Sequence, residues 1–388
     1  MKDEKKAPKL RFKGFTDDWE QCKLGDVAGI VGGGTPSTKK SEYWNGNINW
    51  FTPAEIGNQI FVSHSQKKIT ELGLLKSSAK ILPAGTILFT SRAGIGNTAI
   101  LTRNACTNQG FQSIVPYSNK LDSYFIYSES AKLKRYGETM GSGSTFTEVS
   151  GKQMKKMSLH IPNINEQAKI GNMLKILDRT ITLHEEKKRQ LERLKSALMQ
   201  KMFADKSGYP PVRFEGFSNE WEHCKLGDVA DITTGSRNHQ DSVTDGKYPF
   251  FVRSDKVERL NEYDFDTKAI LVPGDGRIGE IFHYYNGKFA LHQRVYKVDN
   301  FNGINELFLL GLFKYSFKEH ALRLNAQGTV PSLRLPMFTN WSISVPMITE
   351  QERIGVFFQK LERTISLYDH KLELLKKVKR SMLQAMFI

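Results

Sequence analysis

The stretch PKLRFKGFTDDWEQCKLGDVA (Pro8–Ala28) returns 202 residues later as PPVRFEGFSNEWEHCKLGDVA (Pro210–Ala230). The two copies share their aromatic and glycine positions, and both end in the same seven residues, CKLGDVA. Self-similarity at a fixed distance along a chain indicates a repeat architecture. We therefore interpret the 388 residues as one module written twice.

A second matched pair lies downstream, where Ile161–Phe203 corresponds to Val345–Phe387 at a distance of 184 residues. Between the matched flanks lie two dissimilar inserts, residues 29–160 and 231–344. Common ancestry alone would account for the duplication. It does not explain why the flanks stay alike while the inserts diverge. The alternative is that the flanks meet the same partner twice, whereas each insert meets something different.

Both downstream flanks are predicted to be long helices, because they are rich in Leu, Lys and Glu. Asn165 is expected to cap the first helix. Apolar residues recur at steps of four and three from Ile170 and from Ile354, which is the pattern of a coiled-coil seam. Each helix, at about 38 residues, would be roughly 57 Å long. We expect the two to pair antiparallel; the alternative is that each packs on its own domain. The lysines at seam positions 188, 195 and 379 indicate incomplete pairing, or places where a partner adds helices.

Composition points to a folded protein that meets a polyanion. Hydrophobic residues make up 39% of the chain, and the formal net charge is +15. Such a surplus is typical of proteins that bind nucleic acid or an anionic membrane surface. No apolar run is long enough to span a bilayer, and the N-terminal residues lack the apolar stretch of a secretory signal. Three cysteines form no disulfide framework and no metal-ligand spacing, so the cytosol is the expected compartment.

The inserts read as α+β domains. Short β-rich runs separated by glycine turns occur at 48–52, 85–90, 98–102 and 112–116 in the first insert. In the second they occur at 248–253, 269–272, 280–285 and 294–298. Helical patterns cover 123–136 and 304–324. Loops between the strands hold Asn and Gln, which suit adenine edges, Arg and Lys, which suit guanine edges or phosphates, and hydroxyls, which suit phosphates. Each of these residues could equally be an inert loop residue. The predicted contacts are Thr35, Ser37, Lys39, Lys40, Tyr43, Trp44, Asn47, Ser91, Arg92, Asn108, Gln109, Ser236, Arg237, Asn238, His239, Arg253, Arg277, Gln293 and Arg294.

A further echo precedes each long helix, where Gly141–Thr145 faces Ala326–Thr329. Small residues with hydroxyls let a backbone approach a phosphate closely, which adds Ser144, Thr145 and Thr329 to the predicted contacts. A tight turn entering the last strand would explain the same residues.

The sequence carries no complete catalytic motif. Gly274–Gly279 matches G-x-G-x-x-G, but the following residues read as a strand where a dinucleotide site needs a helix. The sequence has no P-loop and no N-P-P-[FY] tetrapeptide, and its histidines lack metal-ligand spacing. Asp264–Lys268 loosely matches a metal-nuclease pattern that the other insert lacks. We therefore expect a non-catalytic chain.

Several motifs, in their repeated order, resemble the specificity subunit of type I restriction-modification systems. GGGTPSTKKSEYWNGNINW (Gly32–Trp50) looks like the opening of that family's target recognition domains, and GTILFTSRAGIGNTAI (Gly85–Ile100) and Asn108–Gly110 look like their later strands. IPNINEQ and VPMITEQ look like the pattern that closes each domain. The resemblance covers essentially the whole chain.

The resemblance implies a division of labour. Two methyltransferase subunits, which bind S-adenosylmethionine, would clamp onto this chain. Two translocase-nuclease subunits, which use ATP and magnesium, would join them for restriction. This chain would bind double-stranded DNA and hold no cofactor, and no membrane is implied. Each recognition domain would read one half of a split target while the helices fix the gap. The second insert opens differently, with DITTGSRNHQ (Asp231–Gln240), so the half-sites should differ.

The predicted architecture is α+β: two target recognition domains (residues 1–160 and 209–344) and two spacer helices (161–208 and 345–388). The helices would form an antiparallel coiled coil that separates the domains, with a pseudo-twofold internal repeat. Two rival functions stay open. One is a stand-alone DNA-binding regulator whose repeat mimics a dimer, which purification without a methyltransferase would favour. The other is a single-chain DNA enzyme, which activity of the pure chain with added cofactor would favour.

Overall fold

The computed structural model describes residues 7–92, 94–141, 148–204, 207–325 and 331–388. The chain divides into two compact units. Unit 1 comprises Met1–Leu183 and Leu372–Ile388, and unit 2 comprises His184–Lys371. Each unit therefore holds one insert, its flanking frame, and part of each of the two long helices. The predicted mixture of helix and strand, repeated twice with two long helices, is confirmed.

Unit 1 begins with the frame strand and ends in the first long helix, α6, which continues into unit 2. Its elements are β1 (Glu20–Lys23), α1 (Leu24–Val27), β2 (Ala28–Gly32), β3 (Trp44–Phe51), β4 (Phe61–Val62), β5 (Lys67–Ile69), α2 (Glu71–Leu75), β6 (Ile87–Phe89), β7 (Thr98–Leu101), β8 (Cys106–Thr107), β9 (Gln112–Pro116), α3 (Ser123–Ser128), α4 (Ser130–Gly141), α5 (Gly151–Lys155), β10 (Ser158–Ile161) and α6 (Ile164–Lys201).

Among the described residues, unit 2 repeats this order with two strands fewer and without a counterpart of α2. It ends in the second long helix, α11, which continues into unit 1. Its elements are β11 (Glu222–Lys225), α7 (Leu226–Val229), β12 (Asp231–Thr234), β13 (Tyr248–Phe251), β14 (Val257–Leu260), β15 (Phe265–Pro273), β16 (His283–Leu291), β17 (Val295–Asp299), α8 (Glu306–Leu312), α9 (Lys318–Leu324), α10 (Leu335–Thr339), β18 (Ser342–Val345) and α11 (Ile348–Met386). A π-helical turn, Phe313–Phe317, joins α8 to α9.

The two inserts share a topology although their sequences differ. Unit 1 has a five-stranded sheet, β2-β9-β6-β7-β4, and a three-stranded sheet, β5-β3-β8; unit 2 has a six-stranded sheet, β12-β17-β15-β16-β13-β14. The long strand β16 of unit 2 corresponds to both β7 and β8 of unit 1. It pairs antiparallel with β15 as β7 does with β6, and parallel with β13 as β8 does with β3. Only unit 1 carries an extra strand, β4, beside β7.

Each insert is closed by its frame. The strand β1 pairs antiparallel with β10, which sets Cys22 opposite Leu159, and β11 pairs with β18, which sets Cys224 opposite Ile343. The repeated tryptophans, Trp19 and Trp221, are each buried in the core of their own unit. The two matched flanks of each insert therefore contribute the two strands of one antiparallel ribbon, and the insert is the chain segment that connects these strands.

A pair of matched ionic contacts holds each frame to the start of its long helix. The Arg11 guanidinium donates two hydrogen bonds to the Glu166 carboxylate, at 2.9 and 2.7 Å, and Arg213 donates two to Glu350, at 2.9 and 2.6 Å. Both carboxylates are almost fully buried. The Glu166 hydrogen bond, with burial opposing it, raises the pKa of Arg11. This forked geometry fixes orientation as well as distance.

The neighbouring glutamines complete the junction. The Gln167 Oε1 accepts the N–H of Asp122 and its Nε2 donates to the carbonyl of Pro162; the same two bonds join Gln351 to Asn305 and Pro346. The helix α6 begins at Ile164, and the side chain that caps it is that of Asn163, which accepts the N–H of Glu166. The expectation that Asn165 is the cap is therefore wrong by two residues.

Within each unit the two long helices run antiparallel. In unit 1, Lys379 of α11 meets Asp178 of α6 at 2.5 Å. In unit 2, Lys195 and Lys188 of α6 meet Glu362 and Asp369 of α11 at 2.6 and 2.5 Å, respectively. The three seam lysines are thus interhelical ion-pair partners, which corrects the interpretation that they mark incomplete pairing.

The alternative that each helix packs on its own domain is also true in part. Ile170 and Leu174 of α6 lie in the core of unit 1, and Ile354 and Phe358 of α11 lie in the core of unit 2. Each helix therefore begins as part of a domain core, and the helices pair through the ion pairs described above.

Candidate nucleic-acid interface

Several of the predicted contact loops meet at one edge of the unit 1 insert. The N–H of Gly34 donates to the carbonyl of Thr107 at 2.8 Å, and the N–H of Ser91 donates to that of Gly110 at 2.8 Å. The carbonyl of Ser91 in turn accepts the N–H of Val149 at 3.0 Å. Loops that are far apart in sequence, around residues 35, 91, 109 and 149, therefore form one surface.

Unit 2 builds the same edge from dissimilar residues. The N–H of Arg237 donates to the carbonyl of Leu291 at 3.2 Å, and the N–H of Gly274 donates to that of Arg294 at 2.7 Å. The carbonyl of Gly274 accepts the N–H of Leu333 at 2.6 Å, just as that of Ser91 accepts Val149. The hydrogen-bond plan of the edge is repeated although the side chains are not.

Close backbone approach explains the glycines in the opening loops. A Cβ on Gly33 would lie 1.9 Å from the carbonyl oxygen of Asn108, and one on Gly235 would lie 2.0 Å from that of Leu291. No side chain fits in such a gap. These glycines therefore join two loops of the edge, which is a structural task at a position where the sequence predicted a contact loop.

An exposed glutamine occupies the same place in both edges. Thr35 Oγ1 donates a hydrogen bond to Gln109 Oε1 in unit 1, and Gln293 Nε2 donates to Asn238 Oδ1 in unit 2. Each glutamine follows a residue whose side chain folds back on its own loop. The Asn108 Oδ1 accepts the N–H of Gly110 at 2.8 Å, and the His292 Nδ1 accepts that of Arg294 at 2.9 Å.

The protonation of His292 follows from this bond. A ring nitrogen that accepts an N–H carries no proton, so the other nitrogen bears it. Burial, with Arg253 nearby, lowers the pKa of His292 below its ordinary value, which favours the same neutral ring. The unit 2 edge is therefore held by a titratable group where unit 1 uses the non-titrating Asn108.

Most basic side chains predicted for the unit 2 edge are ion-paired within the unit. Arg237 donates to Asp264 and Glu262, each at 2.9 Å, and these bonds raise its pKa. Arg253 meets Asp275 at 3.1 Å, Arg277 meets Asp255, and His239 meets Glu258 at 2.9 Å. Arg294 is exposed and forms no ion pair with a described residue. Sequence reasoning missed the acidic partners, although the stretch from Asp255 to Asp266 is visibly rich in carboxylates.

Among the described residues, the unit 1 edge has fewer such pairs. Lys40 lies 3.7 Å from Glu42 and Arg92 lies 3.9 Å from Glu148, all exposed, so these contacts are weak. Lys39 is exposed. The two edges therefore differ in charge: unit 1 presents lysines and an arginine to solvent, whereas unit 2 presents arginines already facing carboxylates.

The remaining predicted contacts differ in how exposed their side chains are. Ser37, Asn47 and Ser236 are exposed, and Tyr43 is half-buried. Trp44 packs edge-on against Trp50 and donates to the carbonyl of Ser37, so it also supports the loop. Ser91 is fully buried, which counts against a contact by its side chain. Three further predictions lie outside the described residues: Ser144, Thr145 and Thr329.

The two motifs set aside in the sequence have structural tasks. Gly274–Gly279 forms the turn between β15 and β16, where a Cβ on Gly279 (φ +67°) would lie 2.6 Å from the Cα of Lys318. A strand follows it, as expected. Asp264 is occupied by Arg237 and by the N–H of Leu291. In the ranges described, no cluster of three His, Cys, Asp or Glu side chains could hold a metal ion. The same ranges contain no helix with the length and apolar character needed to cross a bilayer.

Two domains of shared topology, each presenting a different loop-built edge on a repeated frame, define a tandem recognition protein. The model of the type I restriction modification DNA specificity domain matches this chain twice, over residues 16–193 and 218–377. The chain belongs to that family: it is a specificity subunit of a type I restriction-modification system, with two DNA-recognition domains.

One relative matches nearly the whole chain and another matches about half of it. The chain is 29% identical to the type I restriction enzyme MjaIX specificity subunit of Methanocaldococcus jannaschii, over 94% of this chain and 92% of that protein. It is 32% identical to the EcoR124I/EcoR124II specificity subunit of Escherichia coli, over 45% of this chain and 43% of that one. A crystal structure of the type I S subunit from M. genitalium superposes with a TM-score of 0.69 at 17% identity, covering 98% and 99% of the two chains. The last comparison supports the fold.

Proposed function

We propose that each recognition domain reads one half of a bipartite, asymmetric DNA target through its loop-built edge. One observation carries the proposal: the two edges have the same backbone plan and a shared central glutamine, but the side chains around that glutamine differ. A common plan suits a common ligand, duplex DNA. Different side chains suit different base sequences, because sequence is read by side chains at base edges while phosphate contacts give position.

The proposed readers at the centre of each edge are Gln109 and Gln293. A glutamine amide can form two hydrogen bonds with one adenine edge. Both side chains are exposed, and each is oriented by a side chain from the opposing loop, Thr35 or Asn238. The other proposed contacts stay as predicted from the sequence, except the side chain of the buried Ser91, and Lys39, Arg92 and Arg294 are the cations most open to phosphate.

The long helices are proposed to set the gap between half-sites and to dock methyltransferase subunits. Each helix is continuous from one unit into the other, so its length would fix the separation of the readers. Each unit also exposes aliphatic side chains on its helix segments, which suits a repeated protein contact. These are Ile176, Leu183 and Leu374 in unit 1, and Leu194, Val356 and Leu367 in unit 2.

The division of labour follows from this proposal. The chain is proposed to be non-catalytic and cytoplasmic, with residues 1–160 and 209–344 as recognition domains and 161–208 and 345–388 as spacers. Two methyltransferase subunits would supply the S-adenosylmethionine site, and two restriction subunits would supply the ATP and magnesium sites. The stand-alone regulator is not favoured, since family membership points to an assembled system.

The test is a comparison of methylated sites across the genome in cells that carry Gln109→Ala, Gln293→Ala or the parent chain. Each substitution is expected to relax or abolish recognition in one half of the target and leave the other half unchanged. An exposed glutamine of the frame strand β1, Gln21, provides the control as Gln21→Ala. Loss of both halves together, or no change at either position, would contradict the assignment.

A further inference from the structure

The short strand β4 covers one sheet edge in unit 1. It pairs in parallel with β7, which sets Phe61 beside Ile100 and Val62 beside Leu101. The N–H of Ile100 donates to the carbonyl of Ile60 at 2.7 Å, and the N–H of Thr102 donates to that of Val62 at 3.0 Å. The outward donors of β7 are therefore satisfied by a strand from the same domain.

The matching edge in unit 2 is uncovered. The strands β6 and β7 of unit 1 correspond to β15 and β16 of unit 2. Ile100 of β7 lies opposite Ile87, and Tyr284 of β16 lies opposite Ile270. Tyr284 and Asn286 are therefore the counterparts of Ile100 and Thr102. The strand β13 reaches β16 only at Ala290 and Leu291. Within the part of unit 2 that the structure describes, no strand pairs with the outer edge of Tyr284–Asn286. An open strand edge presents unpaired N–H and C=O groups that can pair with another chain.

A cavity of about 500 Å³ lies along this open edge. Because successive residues of a strand point to opposite faces, a docked strand needs a pocket on each face of the sheet. The cavity offers both, with Phe251 and Tyr285 packed together at 5.5 Å on one side and Tyr284, Leu307 and Phe358 on the other. Its mostly apolar and aromatic lining suits an extended apolar segment.

The contacts of Phe61 show how such a segment sits. Its ring packs on Tyr124 at 5.9 Å and lies under the Lys175 ammonium at 5.5 Å. Tyr124 lies two residues after the cap of α3, Asp122, and Leu307 lies two residues after the cap of α8, Asn305. Lys175 lies eight residues after Gln167, and Gln359 lies eight after Gln351. Leu307 and Gln359 are therefore the counterparts of Tyr124 and Lys175, the two residues that contact the Phe61 ring. Both line the cavity, so the cavity lies at the place in unit 2 that the Phe61 ring fills in unit 1.

We propose that this cavity is a docking site for an extended peptide segment of a partner protein, which adds to β16 in parallel and inserts one aromatic side chain. Strand addition to an open edge is a general mode of peptide recognition, in which main-chain bonds give affinity and side-chain pockets give selectivity. The chemistry of the segment is uncharged and β-forming, like Ile60-Phe61-Val62. The lining supports an uncharged ligand, because its charged side chains are already paired: Glu362 meets Lys314 at 2.7 Å and also Lys195 at 2.6 Å.

The site is separate from the proposed DNA-reading edge and does not depend on that function. A second copy of this chain is a poorer occupant, since its own β4 is already paired with its β7. Docking here would give unit 2 a partner contact that unit 1 cannot make, because unit 1 fills the equivalent place itself.

The probe is a peptide of residues 58–64, Asn-Gln-Ile-Phe-Val-Ser-His, with 4-fluorophenylalanine at the Phe61 position, titrated with the full chain and followed by fluorine NMR. We expect saturable binding, weakened about tenfold or more when the neighbouring Ile and Val are replaced by Ala. Asn286→Pro is expected to weaken binding about tenfold, because it removes one outward donor. Proline is tolerated where the lost N–H faces away from the sheet, and Asn286→Ala, which keeps the donor, is the matched control.

A gain-of-affinity variant guards against misfolding as an explanation. Gln359→Lys restores the cation that lies over Phe61 in unit 1 and should tighten binding about two- to fivefold. No binding by the parent chain, or binding that ignores both Asn286→Pro and Gln359→Lys, would overturn the proposal. Concentration-dependent self-association that Asn286→Pro abolishes would also overturn it, in favour of a second copy as the occupant.

Discussion

The frames of units 1 and 2 are alike down to individual hydrogen bonds, whereas their edges are alike only in backbone. Arg11 and Arg213 each form the same fork, and Gln167 and Gln351 each make the same pair of bonds. At the edges, Asn108 and His292 do one task with different chemistry. The contrast shows that the frames keep both the bond and the side chain that makes it, whereas the edges keep the bond and change the side chain.

The frame contact should give the largest effect when it is broken. Arg11→Met or Arg213→Met would leave Glu166 or Glu350 buried without a partner, which costs about 3–5 kcal/mol. We expect the two substitutions to destabilise their own units by similar amounts. Hydrogen exchange read separately from peptides of each unit, alongside urea unfolding, measures this.

Arg92→Met is the control for the frame contact. Arg92 is exposed and only 3.9 Å from Glu148, so its loss should change stability by less than about 0.5 kcal/mol. A large cost at Arg213 with none at Arg11 would mean that the two frames are not energetically equivalent.

The close glycines should give the next largest effect, and it should be local. In Gly33→Ala and Gly235→Ala the new Cβ would overlap a backbone oxygen of the neighbouring loop, so that loop must move, at a cost of about 1–3 kcal/mol. Each variant should lose recognition of one half of the target, as scored by methylated sites. Gly29→Ala is the control, because the nearest atom to its Cβ is 3.8 Å away. Full recognition by Gly33→Ala would show that the loops need not touch.

The sequence sufficed for the repeat, the long helices and most strands, because each leaves a periodic or duplicated trace. The predicted strand at 112–116 matches β9, whereas the one at 280–285 is really His283–Leu291. The helical pattern at 123–136 is two helices, α3 and α4, that together reach Gly141. The ends of strands near turns were the least predictable, because glycine occurs both in turns and at the ends of strands.

The shared topology of the inserts could not be read from the residues. One continuous strand, β16, in unit 2 corresponds to two short ones in unit 1, and β4 has only two residues, too few for any periodicity. The ion pairs of Arg237, Arg253 and Arg277 were also beyond reach, because their partners are 22 to 27 residues away in sequence and meet them only in the folded sheet. Residue type predicted the contact loops; only packing reveals which of their charges are already engaged.

The smallest expected effect is a difference between the two edges in how their stability depends on pH. The folded pKa of His292 is lowered by burial and by Arg253, while the unfolded chain binds a proton near the ordinary value of about 6.5. The contribution of the neutral ring is therefore complete above that value and is lost as the pH falls through the lowered folded pKa. Unit 2 should lose protection against hydrogen exchange between pH 7.5 and 5.5 more than unit 1 does. His292→Asn should reduce the difference, because Asn108 makes the same bond without titrating; what is left falls to His320 of unit 2, whose pKa burial also lowers. His370→Asn, at an exposed histidine of α11 in unit 2, is the control. If His292→Asn keeps the full pH loss, another group is responsible, and the two edges differ less in chemistry than their side chains imply.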